Sequence, residues 1–261
     1  MKIVIAMDSF KGSLSSLQAG QAAAEGFRRA DPEVETIVRP LADGGEGTVE
    51  ALVYGMGGIL RNVCVTGPLG TPVECSYGII ADKHTAVIEM SGAAGISLVK
   101  KEELDPLKTT TYGVGEVIAD AIKQGCRSFI IGIGGSATND GGVGMLQAMG
   151  YEFLDVTGEP IPLGAQGLRK LAEIRTSKRI PELAECRFRV ACDVQNPLCG
   201  PQGASAIFGP QKGATPDMVQ ELDELLTRYA KIVQQQVCVQ ADPMAPGSGA
   251  AGGMGFVFQA F

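Results

Sequence analysis

The sequence predicts an α/β protein with a parallel sheet, continued into a second lobe, and three observations carry that prediction. β-branched runs at 2–7 and 34–38 flank an amphipathic helical stretch, a β-loop-α-β unit that sets its strands parallel. A further apolar run, 128–133, enters a loop of glycines, hydroxyls and acids and then a second apolar helical run, 143–149. Between these units, from residue 60 to 90, the texture changes to short strands joined by turns, which reads as the passage into the second lobe.

The elements follow in order. Residues 2–7 read as a fully buried strand ending at Asp8-Ser9-Phe10-Lys11-Gly12. Ser15 or Ser16 then caps a helix whose inward face is Leu17, Ala24 and Phe27, with Arg28 and Arg29 complementing its negative end. Asp31-Pro32 stops it, and the strand 34–38 leads to Leu41-Ala42-Asp43-Gly44-Gly45-Glu46-Gly47-Thr48 and a helix over 49–56. Ligands of such units collect at the carboxyl ends of the strands. Asp8, Ser9 and Lys11 stand at one such end and Asp43 at the next, so the two loops point to a shared cleft.

Residues 63–65, 73–80 and 85–90 read as strands, and Thr109-Thr110-Thr111 precedes a helix from 112 or 113 to 124, stopped by Gly125. The segment 155–186 carries few signals, and Pro160 and Pro162 argue for surface connections. A strand over 188–192 runs into Asp193-Val194-Gln195-Asn196. Thr215 caps a long amphipathic helix with Pro216 in its first turn and Met218, Leu222, Leu225, Leu226, Tyr229 and Ile232 inward. The glycine-rich stretch 246–256 invites a phosphate or a close helix contact.

Composition narrows the partners. At 261 residues the chain suits roughly one or two domains. Its 22 basic and 29 acidic residues give a net charge of −7, with no basic run among aromatics, which argues against nucleic acid and membrane surfaces. The seven cysteines are odd in number, lie in apolar segments and form no C-x-x-C pair, so buried free thiols in a reducing compartment are expected. With one histidine, His84, a zinc site is improbable. A short, soon acidic N-terminus and the lack of a bilayer-length apolar run complete the expectation of a soluble cytoplasmic protein.

The chemistry concentrates in Gly132-Ile133-Gly134-Gly135-Ser136-Ala137-Thr138-Asn139-Asp140-Gly141-Gly142. A glycine pair alone would be a tight turn. Five glycines, two hydroxyls, an Asn and an Asp between a strand and a helix make an anion seat, where backbone N–H groups and a helix dipole converge. Four aspartates, Asp8, Asp43, Asp140 and Asp193, lie just beyond predicted strands, with Lys11 and Lys212 near two of the glycine loops. Phosphoryl transfer needs this inventory: amide cradles, a cation, a carboxylate-held Mg²⁺ and a carboxylate base. No G-x-x-x-x-G-K-[ST] or H-R-D set occurs, which excludes P-loop enzymes and protein kinases. A nucleotide-dependent dehydrogenase competes. However, the third glycine of a dinucleotide fingerprint is misplaced and the first βα turn reads Asp8-Ser9-Phe10-Lys11-Gly12. A non-catalytic small-anion or nucleotide-binding fragment is the other alternative.

Six motifs in order resemble one family: Met7-Asp8-Ser9-Phe10-Lys11-Gly12, the 41–48 loop, the 132–142 loop, Cys192-Asp193-Val194-Gln195-Asn196-Pro197-Leu198, Ile207-Phe208-Gly209-Pro210-Gln211-Lys212-Gly213-Ala214, and 246–253. The chain resembles the bacterial glycerate kinases, in particular the group that phosphorylates the 2-hydroxyl. The resemblance implies ATP and D-glycerate as substrates, Mg²⁺ as cofactor, and a Rossmann-like parallel-sheet lobe with a larger inserted α/β lobe. It divides the chain into 1–65, part of the first lobe, and 66–261, the second. The family runs on past residue 261 with a segment that completes the first lobe, so part of that lobe is expected to be absent here. Met7, where the family often has Pro, and Ser248 depart from its pattern without removing a reactive group. Possible homo-oligomers are left open.

The expected roles follow. Asp193 is the choice for the base on the 2-hydroxyl, though Asp8 or Asp43 could serve. Lys11 would bind the glycerate carboxylate or the γ-phosphate. Ser9, Gly134, Gly135, Ser136, Thr138, Asn139, Asp140, Asn196 and Lys212 would contact substrate or phosphate, and Asp43 with Glu46 would hold the metal. Each aspartate could instead cap a turn or helix, and each lysine could be a surface charge.

Overall fold

The computed structural model describes residues 1–10, 13–42, 44–45, 47–80 and 84–261. Its centre is a five-stranded sheet in the order β3-β4-β5-β6-β9, formed by β3 (Ile59–Thr66), β4 (Pro72–Ile80), β5 (Thr85–Glu89), β6 (Ser128–Gly132) and β9 (Arg187–Ala191). The expectation of a parallel sheet holds for one half. β5, β6 and β9 run parallel, whereas β3, β4 and β5 pair antiparallel because short turns join them. Alternate residues of the central strands pack on opposite faces, so both faces are covered and the strands read as continuous apolar runs. Ala86, Ile88, Phe129 and Ile131 join the main core with α4 (Tyr112–Lys123) and α5 (Val143–Ala148). Val87 and Ile80 face α2 (Thr48–Met56) through Val49 and Val53.

A separate two-stranded parallel ribbon pairs β1 (Lys2–Ile5) with β2 (Glu35–Val38), with α1 (Ser16–Ala30) packed beside it. Ser15 caps α1 in a full capping box with Gln18. The fully buried β1 expected from sequence is corrected here. Ile5 is buried but Val4 is 61% exposed, because a strand in a two-stranded ribbon gains cover mainly from α1. Phe27, expected inward on α1, is 44% exposed; Ser16, Ala19, Gly20 and Ala24 form the buried face instead. The boundary expected at residues 65 and 66 falls within β3, whose eight residues all pair with β4.

The segment 155–186 is mostly at the surface, as expected, and Pro160 and Pro162 are exposed, but it sends a few side chains into the core. β7 (Glu152–Leu154) pairs antiparallel with β8 (Glu173–Arg175), and Ile161, Leu168, Leu171 and Ile174 are buried. After α6 (Ala204–Phe208), Pro210–Lys212 forms a 3₁₀ turn before α7 (Pro216–Gln236), which Thr215 caps by accepting from Met218 N; Leu222, Leu226, Tyr229 and Val233 are buried. The last helix, α8 (Ala250–Ala260), breaks at Ala251, Gly252 and Gly253, all left-handed. All seven cysteines are free; Cys64 and Cys192 are exposed, against the expectation that all are buried. Among the described residues no helix is long and apolar enough to cross a membrane.

Candidate active site

The register aligns Glu89, Gly132 and Ala191, the carboxyl ends of the three parallel strands, along one edge of the sheet. That edge is where an open α/β sheet holds its ligands. The loop after β6 is laced to the loop after β5: Met90 N donates to Gly132 O at 2.9 Å, Ile96 N to Gly135 O at 2.8 Å and Ala137 N to Ala94 O at 2.9 Å. On its other side Gly134 N donates to Gly44 O at 3.2 Å. A Cβ at residue 132 would stand 2.3 Å from Gly44 O, so only glycine admits this approach.

The result is a cleft of about 540 Å³. Gly134, Gly135 and Ser136 line one wall; Ala191, Cys192, Asp193 and Val194 another; Phe208, Gln211 and Lys212 close it, with Gly45 and Ala251 at its margins. Asp193 is exposed. Lys212 is the opposite case, 1% exposed, with Nζ donating to Ser136 Oγ at 2.8 Å and to Thr138 O at 2.6 Å. Burial pushes its ammonium down to about 7, opposed by the charge of Asp140.

Past Ser136 the loop turns away from the cleft. Thr138, Asn139 and Asp140 are fully buried. The Asp140 carboxylate accepts from Thr111 N and Thr111 Oγ1 at 2.9 Å each, from Gly142 N at 3.1 Å and from Gly144 N at 3.3 Å. It thereby ties the starts of α4 and α5 to one group. Burial pushes its carboxyl up, and these hydrogen bonds oppose but do not cancel that push. Asn139 Nδ2 donates to Ser205 Oγ at 2.9 Å, while Asn139 Oδ1 and Thr138 Oγ1 are buried with no partner. Gly141 N donates to Gly252 O at 2.9 Å, and a Cβ at residue 252 would meet Thr138 O at 2.1 Å. The close contact expected of the last glycine stretch is therefore made to this loop.

A model of the glycerate kinase family matches residues 3–261 of the chain. The chain belongs to the glycerate kinase family. It is 51% identical over 261 residues to a protein of Escherichia coli K12 named glycerate 2-kinase, an alignment spanning 100% of this chain and 68% of that one. It is 51% identical over 255 residues to a glycerate kinase of Haemophilus influenzae, spanning 98% and 67% of the two chains. The crystal structure of a protein assigned as glycerate kinase 2 of Salmonella typhimurium LT2 superposes with a TM-score of 0.93 at 51% identity, covering 100% of this chain and 70% of that one. This is an enzyme family, and the mixed α/β fold is shared with that structure.

Of the residues expected in a glycerate kinase site, Gly134, Gly135, Ser136, Asp193 and Lys212 meet at the cleft. Thr138, Asn139 and Asp140 stand behind it as support. Asn196 braces its loop, donating through Nδ2 to Gln202 O at 2.8 Å and accepting from Gly249 N at 2.9 Å. Asp8 and Ser9 do not line this cleft. Asp8 accepts from Ser9 N at 2.7 Å, and Ser9 lines a second depression with Phe10, Ser13, Gly47 and Glu89. Lys11, Asp43 and Glu46 lie outside the described residues. Sequence reasoning misses Thr111, Ser205, Phe208 and Gln211. Phe208 and Gln211 sit within the 207–214 motif, which is the signal that could have found them, whereas the triple threonine 109–111 signals only a helix start.

Proposed function

We propose that this chain transfers the γ-phosphoryl group of ATP to the 2-hydroxyl of D-glycerate, giving 2-phosphoglycerate and ADP. The observation that carries this reading is the pairing across one cleft of an amide-rich turn backed by buried Lys212 with the exposed Asp193 carboxylate. The turn and Lys212 suit phosphate oxygens, since backbone N–H groups and a desolvated cation stabilise the charge of a transferring phosphoryl. Asp193 takes the proton of the attacking hydroxyl as its oxygen bonds to the γ-phosphorus and ADP departs. Lys11, from the first βα turn, would bind the glycerate carboxylate or the γ-phosphate.

Magnesium takes one or two carboxylates and completes its shell with phosphate oxygens and water, and when bound it would neutralise phosphate charge. Among the described residues no group of three or more His, Cys, Asp and Glu side chains could hold a metal ion by itself. Asp43 and Glu46, which lie outside the described residues, are the proposed ligands of magnesium, with nucleotide phosphates completing the shell. The turn carrying them meets the site through Gly44, against Ala191 O, and Gly45, at the cleft's margin. The same reading makes the protein cytoplasmic, with the 1–65 segment reaching the cleft through Gly45. Coupled measurement of ADP release with and without D-glycerate tests it, followed by separation of 2- from 3-phosphoglycerate. ADP release that does not depend on glycerate sinks the proposal, and a 3-phosphoglycerate product corrects its regiochemistry.

A further inference from the structure

Lys212 is held unusually for a phosphate-binding lysine. It is sealed in the protein, and the two groups it donates to, a serine hydroxyl and a backbone carbonyl, are neutral. An ammonium has three donors, so one remains for a ligand. A buried cation with neutral partners keeps its charge at a cost that an arriving anion would relieve. Among the charged and titratable groups around it, Asp140 acts on it from behind and supports its charge. Asp140 is itself buried and already committed to Thr111, Gly142 and Gly144. Tyr229, beside Asp140, has a buried hydroxyl with no partner, and burial holds that hydroxyl protonated. Asp193 lines the other side of the cleft and is exposed to water.

We propose that an anion seated on the Gly134–Ser136 turn is bound together with a proton taken up by Lys212, with Asp140 setting how readily that proton is held. The ligand class is a tetrahedral oxyanion of the phosphate type. This deepens the reading of the cleft as a phosphate site and rests on it. The balance is simple: a solvent proton adds to the lysine Nζ lone pair, and the new N–H⁺ faces the anion. Burial among neutral partners already draws the Lys212 ammonium down to about 7.

Isothermal titration calorimetry with sodium sulfate is the test, because sulfate does not titrate between pH 6 and 9. Each titration is run in two buffers of different ionisation enthalpy, so that proton uptake is read directly. The expected result is uptake of roughly one proton per sulfate at pH 8.5, falling toward none at pH 6, where the lysine is already charged. Lys212→Arg, with a permanently charged side chain, should bind sulfate without uptake at any of these pH values. Lys212→Met should bind at least about 10-fold more weakly, again without uptake. In Asp140→Asn the pH at which affinity begins to fall should move lower, because the lysine loses its supporting charge; Thr111→Val, which removes the hydroxyl's two hydrogen bonds, to Asp140 and from Met145 N, but no charge, should leave that pH in place. Wild-type binding with no uptake at pH 8.5, equal uptake in Lys212→Met, or no sulfate binding at all would each overturn the proposal. Glycerate-dependent ADP release is unaffected by the first two results and so reports separately on the kinase reading.

Discussion

The loop after β6 and the segment after β1 hold the same kinds of residue at the same kind of place, a carboxyl end of a parallel strand, yet their described residues differ in burial. The 133–142 loop is bound to the 90–96 segment, to Gly44, to Lys212 and to Gly252, and its Asp140 accepts hydrogen bonds from three residues. Among the described residues of the segment after β1, Met7 O accepts from Leu41 N at 2.9 Å, Asp8 accepts from its own neighbour, and Phe10 and Leu14 bond each other's backbone and remain exposed. The difference comes from the sheets beneath. A five-stranded sheet covered on both faces fixes its loops from two sides; a two-stranded ribbon leaves one side to solvent. Pre-organisation is thus a property of what surrounds the residues rather than of their identities.

That contrast can be broken or sharpened by measurement. The largest effect belongs to the cleft: Asp193→Asn should lower turnover about 10²- to 10⁴-fold, as loss of a general base does, with little change in melting because the side chain is exposed. Near-normal turnover would remove Asp193 from the mechanism. The next effect is a pH dependence of stability. Between about 7 and 10.5 the unfolded chain holds a lysine proton that folded Lys212 has released, so the unfolded state binds more protons and stability rises with pH. Urea melts of the wild type and of Lys212→Met should therefore diverge in favour of the wild type as pH rises through that window. The total is on the order of 3–5 kcal/mol, and the difference should be flat below pH 7. An unchanging difference would mean that the lysine titrates normally. Gly252→Ala should cost about 2–3 kcal/mol, since the residue is left-handed and the methyl would press on Thr138 O. Smallest of all, Phe27→Ser on the ribbon's helix should change stability by no more than about 0.5 kcal/mol. A larger loss there would show that the open side is more ordered by packing than its exposure indicates.

Much of the fold and part of the site are legible in the sequence. The caps at Ser15 and Thr215, the buried strands β5 and β6 and the anion-seat loop all follow from local rules of propensity, capping and glycine chemistry. What local rules cannot supply is the neighbour. A β-branched run says that residues 2–5 form a strand, but burial of Val4 requires a covering element on that face. Consecutive loop residues likewise do not reveal that Ser136 faces the cleft while Thr138 to Asp140 face inward, since that reversal is set by Lys212 and Thr111 from distant segments. Ser205 carries no signal at all, because a serine in a short helix gains meaning only from Asn139 beside it.

Cys192 stands at the mouth of the cleft next to Asp193, exposed, while Cys64 is exposed on β3 and does not line that cleft. The chain therefore carries a native chemical footprint of its own site. A thiol reagent of modest size should modify both sulfurs in the empty protein, and a ligand filling the cleft should slow only Cys192. Cys64 then serves as the internal standard, so that occupancy can be followed by peptide mass alone, with no chromophore, no coupled enzyme and no turnover.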